Sequence, residues 1–136
     1  MSKHKLIQYL SDLVAINSVN PGLSKVGQGE KEIAEYIYTH CQNYGLSSNL
    51  YEVDKNRFNT SALLSGIDTS KTLLMNGHID TVGVEGMDSP FQLKEDGDRL
   101  YGRGSYDMLA GCAIQMCLAE YFANKKPPIS LAFSFV

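Results

Sequence analysis

The chain has 136 residues, 43% of them hydrophobic and 20% charged, enough length and apolar content for one core. Twelve Lys and Arg against fifteen Asp and Glu leave a net charge of −3, so the basic excess that general phosphate-backbone binding needs is absent and no nucleic-acid partner is expected. Eight Tyr and five Phe, with many aliphatics, argue against a disordered chain.

The first residues start basic, but Gln8, Ser11 and Asp12 interrupt any apolar run of the kind a secretory signal carries. No segment approaches the ~20 consecutive apolar residues of a membrane span. The cysteines are Cys41, Cys112 and Cys117. An odd count without CxxC spacing predicts free thiols in a reducing compartment, and hence a cytoplasmic protein. Asn59-Thr60-Ser61 is formally a glycosylation sequon, but with no signal peptide expected it carries little weight.

Leu6, Ile7, Leu10, Leu13 and Val14 recur at helical spacing and predict a helix over 3–16. Residues 17–29 are rich in Ser, Asn, Pro and Gly and read as a loop. Ile33, Ile37 and Cys41 predict a second helix over 30–44, with Gly45 as its C-terminal cap. Strands are expected at 48–53, 60–64 and 72–76. Residues 92–94 and 99–102 flank Glu95-Asp96-Gly97-Asp98, a hairpin turn. Between Met108 and Phe122 only Gln115 and Glu120 are strongly polar, the mark of a buried helix. Lys125-Lys126-Pro127-Pro128 ends it, and Ile129–Val136 reads as a buried strand. This order predicts an α/β domain in three layers: a mixed sheet, parallel at its centre, with helices on both faces. A core strand that runs to the last residue predicts that the domain is cut short there.

Two places carry chemistry. Gly77-His78-Ile79-Asp80 lies at the expected carboxyl end of a strand, where open α/β sheets collect ligands. His78 and Asp80 point to one side of an extended backbone, and a carboxylate is a good partner for the second nitrogen of a metal-bound imidazole. Taken alone, His-x-Asp is more often a structural His beside a turn Asp. The second place is Tyr101-Gly102-Arg103-Gly104-Ser105-Tyr106-Asp107-Met108, where Asp107 opens the buried helix and reads equally as an N-cap. A dinucleotide loop is excluded there because the third glycine is missing. A calcium loop is excluded because Leu100 and Tyr101 stand at its fifth and sixth positions. Cys112 and Cys117 are poorly spaced for a shared metal and read as small core residues. His4 and His40 fall on helices away from both motifs and are expected to be solvated. His78 and Asp107 together suggest a nitrogen-and-oxygen site for zinc. Two ligands are fewer than the three a catalytic zinc needs.

The combined motifs resemble the zinc metallopeptidase and deacylase family of acetylornithine deacetylase and succinyl-diaminopimelate desuccinylase. The matching stretches are Ile16-Asn17-Ser18-Val19-Asn20-Pro21, Gly77-His78-Ile79-Asp80-Thr81-Val82, Ser89-Pro90-Phe91 and Leu100–Met108. The resemblance covers the whole chain but only the front of a family member, and so implies that 1–136 is the N-terminal part of a truncated, zinc-dependent catalytic domain. It implies two zinc ions, with cobalt as a substitute, sharing a water. His78 would be a terminal ligand, Asp107 the bridging carboxylate and Asp80 the catalytic-site residue that holds His78. It also implies a cis peptide after Asp107. The chain departs from the family in having Leu109-Ala110 where Lys-Gly is common, at positions that are not ligands, and in lacking a Trp before the Pro-Phe element. By the family pattern a Glu-Glu pair, two further ligands and a lid domain that forms dimers come later. The implied activity is hydrolysis of amide bonds in N-acyl amino acids or small peptides, with no membrane partner and with this segment inactive alone. A dipeptidase, a carboxypeptidase or a non-catalytic fragment are the alternatives.

Overall fold

The computed structural model describes residues 2–136. Helix α1 (Lys3–Ala15) begins at Ser2, whose hydroxyl accepts the Lys5 N–H, and buries Tyr9, Leu10, Leu13 and Val14. Helix α2 (Lys31–Asn43) buries Ile33, Ala34, Ile37, His40 and Cys41 on one stripe, as its 3–4 spacing dictates. Gly45, at φ +75°, follows it in the place expected for its cap. Strands β1 (Ser47–Asp54) and β2 (Arg57–Leu64) form an antiparallel hairpin. Strand β3 (Asp68–Gly77) leads into the first motif. The short hairpin of β4 (Lys94–Asp96) and β5 (Arg99–Tyr101) turns through Gly97-Asp98. Helix α3 (Leu109–Ala123) is followed by β6 (Ile129–Phe135).

The main sheet has the order β1-β2-β6-β3. β2 pairs antiparallel with β6, and β3 pairs parallel with it. The class is therefore mixed α/β with a mixed sheet, as expected. Two details differ. The parallel pair occupies one side of the sheet rather than its centre. The helices among the described residues lie on one face rather than both.

The reason is the two-residue period of β6. Leu131, Phe133 and Phe135 are buried and oppose Leu64, Ala62 and Thr60 of β2, so these residues share a face. Thr60 Oγ1 donates to the Ala34 carbonyl of α2 at 2.8 Å. Gly77 pairs with Phe135 on the same face, and a Cβ there would meet Gln115 and Cys112 of α3. α1 lies against α3, where Tyr9 Oη donates to Glu120 Oε2 at 2.7 Å and Lys5 pairs with the same carboxylate. The opposite face presents Ser61, Leu63, Ala132, Ser134 and Leu74, and Leu74 is 61% exposed. The run Ser130–Phe135 thus alternates small with large apolar side chains, and the large ones, Leu131, Phe133 and Phe135, face the helices.

α3 is apolar all round yet not fully enclosed. Cys112, Ala113, Met116, Cys117 and Ala119 are buried, while Ile114 and Tyr121 remain exposed. All three cysteines are free and buried. His40, expected to be solvated, is buried instead. Its ring packs edge-on to Tyr9 and against Tyr44, and Nε2 donates to the Met116 carbonyl at 3.1 Å. The signal for this was its register with Ile33, Ile37 and Cys41 on the buried stripe. His4 is exposed.

Candidate metal centre

The first motif hangs from the carboxyl end of β3. Beyond the last strand pair, Val136 N–H donates to the Gly77 carbonyl (3.0 Å) and Ile79 N–H to the Val136 carbonyl (2.7 Å). β6 thereby clamps the backbone on both sides of His78. Further support comes from α3, where Cys112 Sγ–H donates to the His78 carbonyl at 3.3 Å. The loop after α1 closes the other side. Val19 and Thr81 form an isolated parallel bridge, with Thr81 N–H donating to the Ser18 carbonyl (3.0 Å) and Asn20 N–H to the Thr81 carbonyl (2.9 Å).

The second motif reaches the same place from β5. Gly104 sits at φ +76°, and a Cβ there would strike Thr81 and Leu109, so a side chain would be both strained and overlapped. The Asp107–Met108 peptide is cis, as the family resemblance implies. Asp107 is not an N-cap: α3 is capped from Met108, with no side-chain cap bond.

The two motifs meet at the imidazole. His78 Nε2 lies 2.9 Å from Asp107 Oδ1. Nδ1 lies 3.1 Å from Asp80 Oδ1 and 3.2 Å from the Asp80 carbonyl. All three neighbours are acceptors, so whichever ring nitrogen carries a proton has a partner to donate it to. Burial alone draws the His78 pKa down, but the hydrogen bond to Asp107 and the contacts with Asp80 outweigh it, and the net direction is upward. The Asp107 side chain is 80% exposed and that of Asp80 26%. Asp107 is therefore free to meet a ligand, whereas Asp80 is held behind the ring.

His78, Asp80, Thr81, Val82, Arg103 and Asp107 line a cleft of about 160 Å³. The donor set suits a borderline cation. Two atoms each ~2.0–2.1 Å from a tetrahedral zinc lie about 3.3 Å apart, close to the observed 2.9 Å between Nε2 and Oδ1. The set is incomplete, since among the described residues no group of three or more His, Cys, Asp or Glu is placed to hold a metal.

Two residues at this site were not singled out as site residues from sequence. Asn20 Nδ2 donates to Asp80 Oδ2 at 2.9 Å, and its only sequence signal was membership of the Ile16–Pro21 stretch. Arg103 lines the cleft with its Nε buried and without a hydrogen-bond partner among the described residues, and it stood between the two glycines of the second motif.

Comparison with known proteins bears on the same segments. Residues 74–136 match the model of peptidase family M20/M25/M40. A probable succinyl-diaminopimelate desuccinylase of Staphylococcus aureus is 32% identical over 132 residues, which cover 93% of this chain and 30% of that protein. An N-formyl-4-amino-5-aminomethyl-2-methylpyrimidine deformylase of Halalkalibacterium halodurans is 28% identical, covering 99% of this chain and 33% of that protein. A crystal structure of an M20 family metallo-carboxypeptidase from Sulfolobus solfataricus superposes with a TM-score of 0.80 at 21% identity, over 99% of this chain and 30% of the other, which shows the shared fold. The chain thus spans about 30% of the length of these relatives. The His78 and Asp107 motifs both fall inside the matched segment, and residues 74–136 are similar to peptidase family M20/M25/M40.

Proposed function

We propose that the chain supplies part of a zinc centre in a hydrolase that cleaves amide bonds of N-acyl amino acids or small peptides. The observation that carries this reading is the imidazole of His78, braced by Asp80 on one nitrogen and facing exposed Asp107 with the other. The names of the desuccinylase and the deformylase favour removal of an acyl group over cleavage of a peptide.

His78 Nε2 and Asp107 would hold the metal, with Asp107 as the carboxylate shared between two ions. Bound zinc polarises a carbonyl and lowers the pKa of water. The chain's own residues do the rest. Asp80 accepts the Nδ1 proton and leaves Nε2 as the ligating atom. Thr81 and Val82 wall the cleft beside them. The remaining ligands and a general base have no counterpart among the described residues, so the 136-residue chain alone is expected to be inactive.

The test is a panel of acetylated, succinylated and formylated amines and dipeptides, offered with zinc to the whole protein and to residues 1–136. Turnover of acylated amines by the whole protein alone supports the reading. Turnover by residues 1–136, or a whole protein that acts on none of the panel, contradicts it.

A further inference from the structure

We infer that Asn20 is a positioning residue for this centre. It locks the Asp80 carboxylate so that the neutral His78 imidazole carries its proton on Nδ1 and offers a bare Nε2 to the metal. The inference rests on the reading of His78 as a ligand.

The orientation of the Asn20 amide is fixed by its neighbours. Gly22 N–H donates to Asn20 Oδ1 at 2.9 Å, so Oδ1 is occupied as an acceptor. That turns Nδ2 toward Asp80, where it donates to Oδ2 at 2.9 Å. The Asn20 backbone is bonded to Thr81, the residue after Asp80. Backbone and side chain of Asn20 therefore grip the same short segment from a loop about sixty positions earlier in the chain.

The consequence follows from acceptor competition. A neutral imidazole has one N–H, and acceptors stand on both sides of His78. On the Nδ1 side are the Asp80 carbonyl and Asp80 Oδ1. On the Nε2 side is Asp107, largely in water. The two acceptors win while Asp80 Oδ1 keeps its contact with Nδ1, and Asn20 is the side chain that holds the other carboxylate oxygen. Without it the carboxylate can rotate, and the proton is shared between the nitrogens. A ligating imidazole usually has its other N–H fixed by a partner, and loss of such support typically costs ~10–100-fold in metal affinity.

The experiment uses metal-free chain with 15N-labelled histidine, at a pH above the imidazole titration, with His78 identified by comparison with His4→Gln and His40→Gln. The variants are Asn20→Ala, Asp80→Ala and a loop control, Asn17→Ala, which loses the Asn17 Oδ1 contact to Val19 N–H and the Nδ2 donation to the Val26 carbonyl in the same segment, neither of which touches Asp80. Nitrogen shifts report the tautomer, and zinc titration reports affinity. The inference expects wild type and Asn17→Ala to hold the Nδ1–H form, and Asn20→Ala to give mixed tautomers with about 10–100-fold weaker zinc binding. If Asp80→Ala shifts the tautomer and Asn20→Ala does not, the role of Asn20 is overturned while the metal-site reading stands. If Asn17→Ala behaves as Asn20→Ala does, the effect belongs to the loop and the inference also fails.

Discussion

Phe133→Ala tests how the fold holds the site. Phe133 is 1% exposed and sits mid-strand in β6, opposite Ala62 of β2 and Met75 of β3. The residue that follows the strand, Val136, clamps the backbone on both sides of His78. Truncating a buried Phe costs roughly 3–5 kcal/mol, through lost transfer energy and an unfilled cavity. That is a large part of the ~5–15 kcal/mol available to a domain of this size. At ~2.1 cal/mol/K per residue, the unfolding entropy of this chain is about 0.3 kcal/mol/K, so the midpoint should fall by about 10–17 °C. Thermal unfolding followed by far-UV circular dichroism reads this directly, with tyrosine fluorescence as a second probe because the chain has no Trp. Leu74→Ala is the control, since Leu74 is 61% exposed on the uncovered face and should cost under about 1 kcal/mol. Equal losses from the two variants would refute the assignment of the covered face.

His40 gives a signed pH effect. Burial is the largest cause and holds its pKa below 6.5; the Met116 carbonyl and Glu120 push it up, and Lys5 pushes it down. The unfolded chain takes up a proton that folded His40 resists, so stability is lost as pH falls through about 6.5. His78, raised in the fold, contributes with the opposite sign, so the readout is wild type minus His40→Gln. Between about pH 7.5 and 5.5 the wild type should lose more stability than the variant; an equal or smaller loss contradicts the buried neutral ring. The thiols give a third prediction. Burial pushes Cys41 and Cys112 up to about 12, so the native chain should react with a thiol reagent far more slowly than the unfolded one. Immediate reaction of both in the native state would contradict their burial.

The sequence was most informative where one period ruled. Helical spacing placed α1 and α2 to within a residue or two, and the apolar run 108–122 located α3. It was least informative where tertiary partners decide. Whether the second face of β6 is covered depends on elements packed against it, not on the strand's own residues. The burial of His40 follows from a stripe shared with Ile33 and Ile37, and a lone polar letter on a helix hides that. At the site, His78, Asp80 and Asp107 stood out in the sequence because their motifs are compact, and the fold brings the three side chains together. Asn20 was not, because its meaning lies in a contact with Asp80, sixty positions away, which only the fold creates.

The central claim is that His78 and Asp107 bind one cation together. Zinc titration by calorimetry of wild type, His78→Ala, Asp107→Ala and His4→Ala tests it most directly. The account predicts weak binding by the wild type, since two ligands fall short of the usual three. It predicts a loss of about tenfold or more in each of the first two variants, and no change in His4→Ala. Binding that survives both His78→Ala and Asp107→Ala would contradict it.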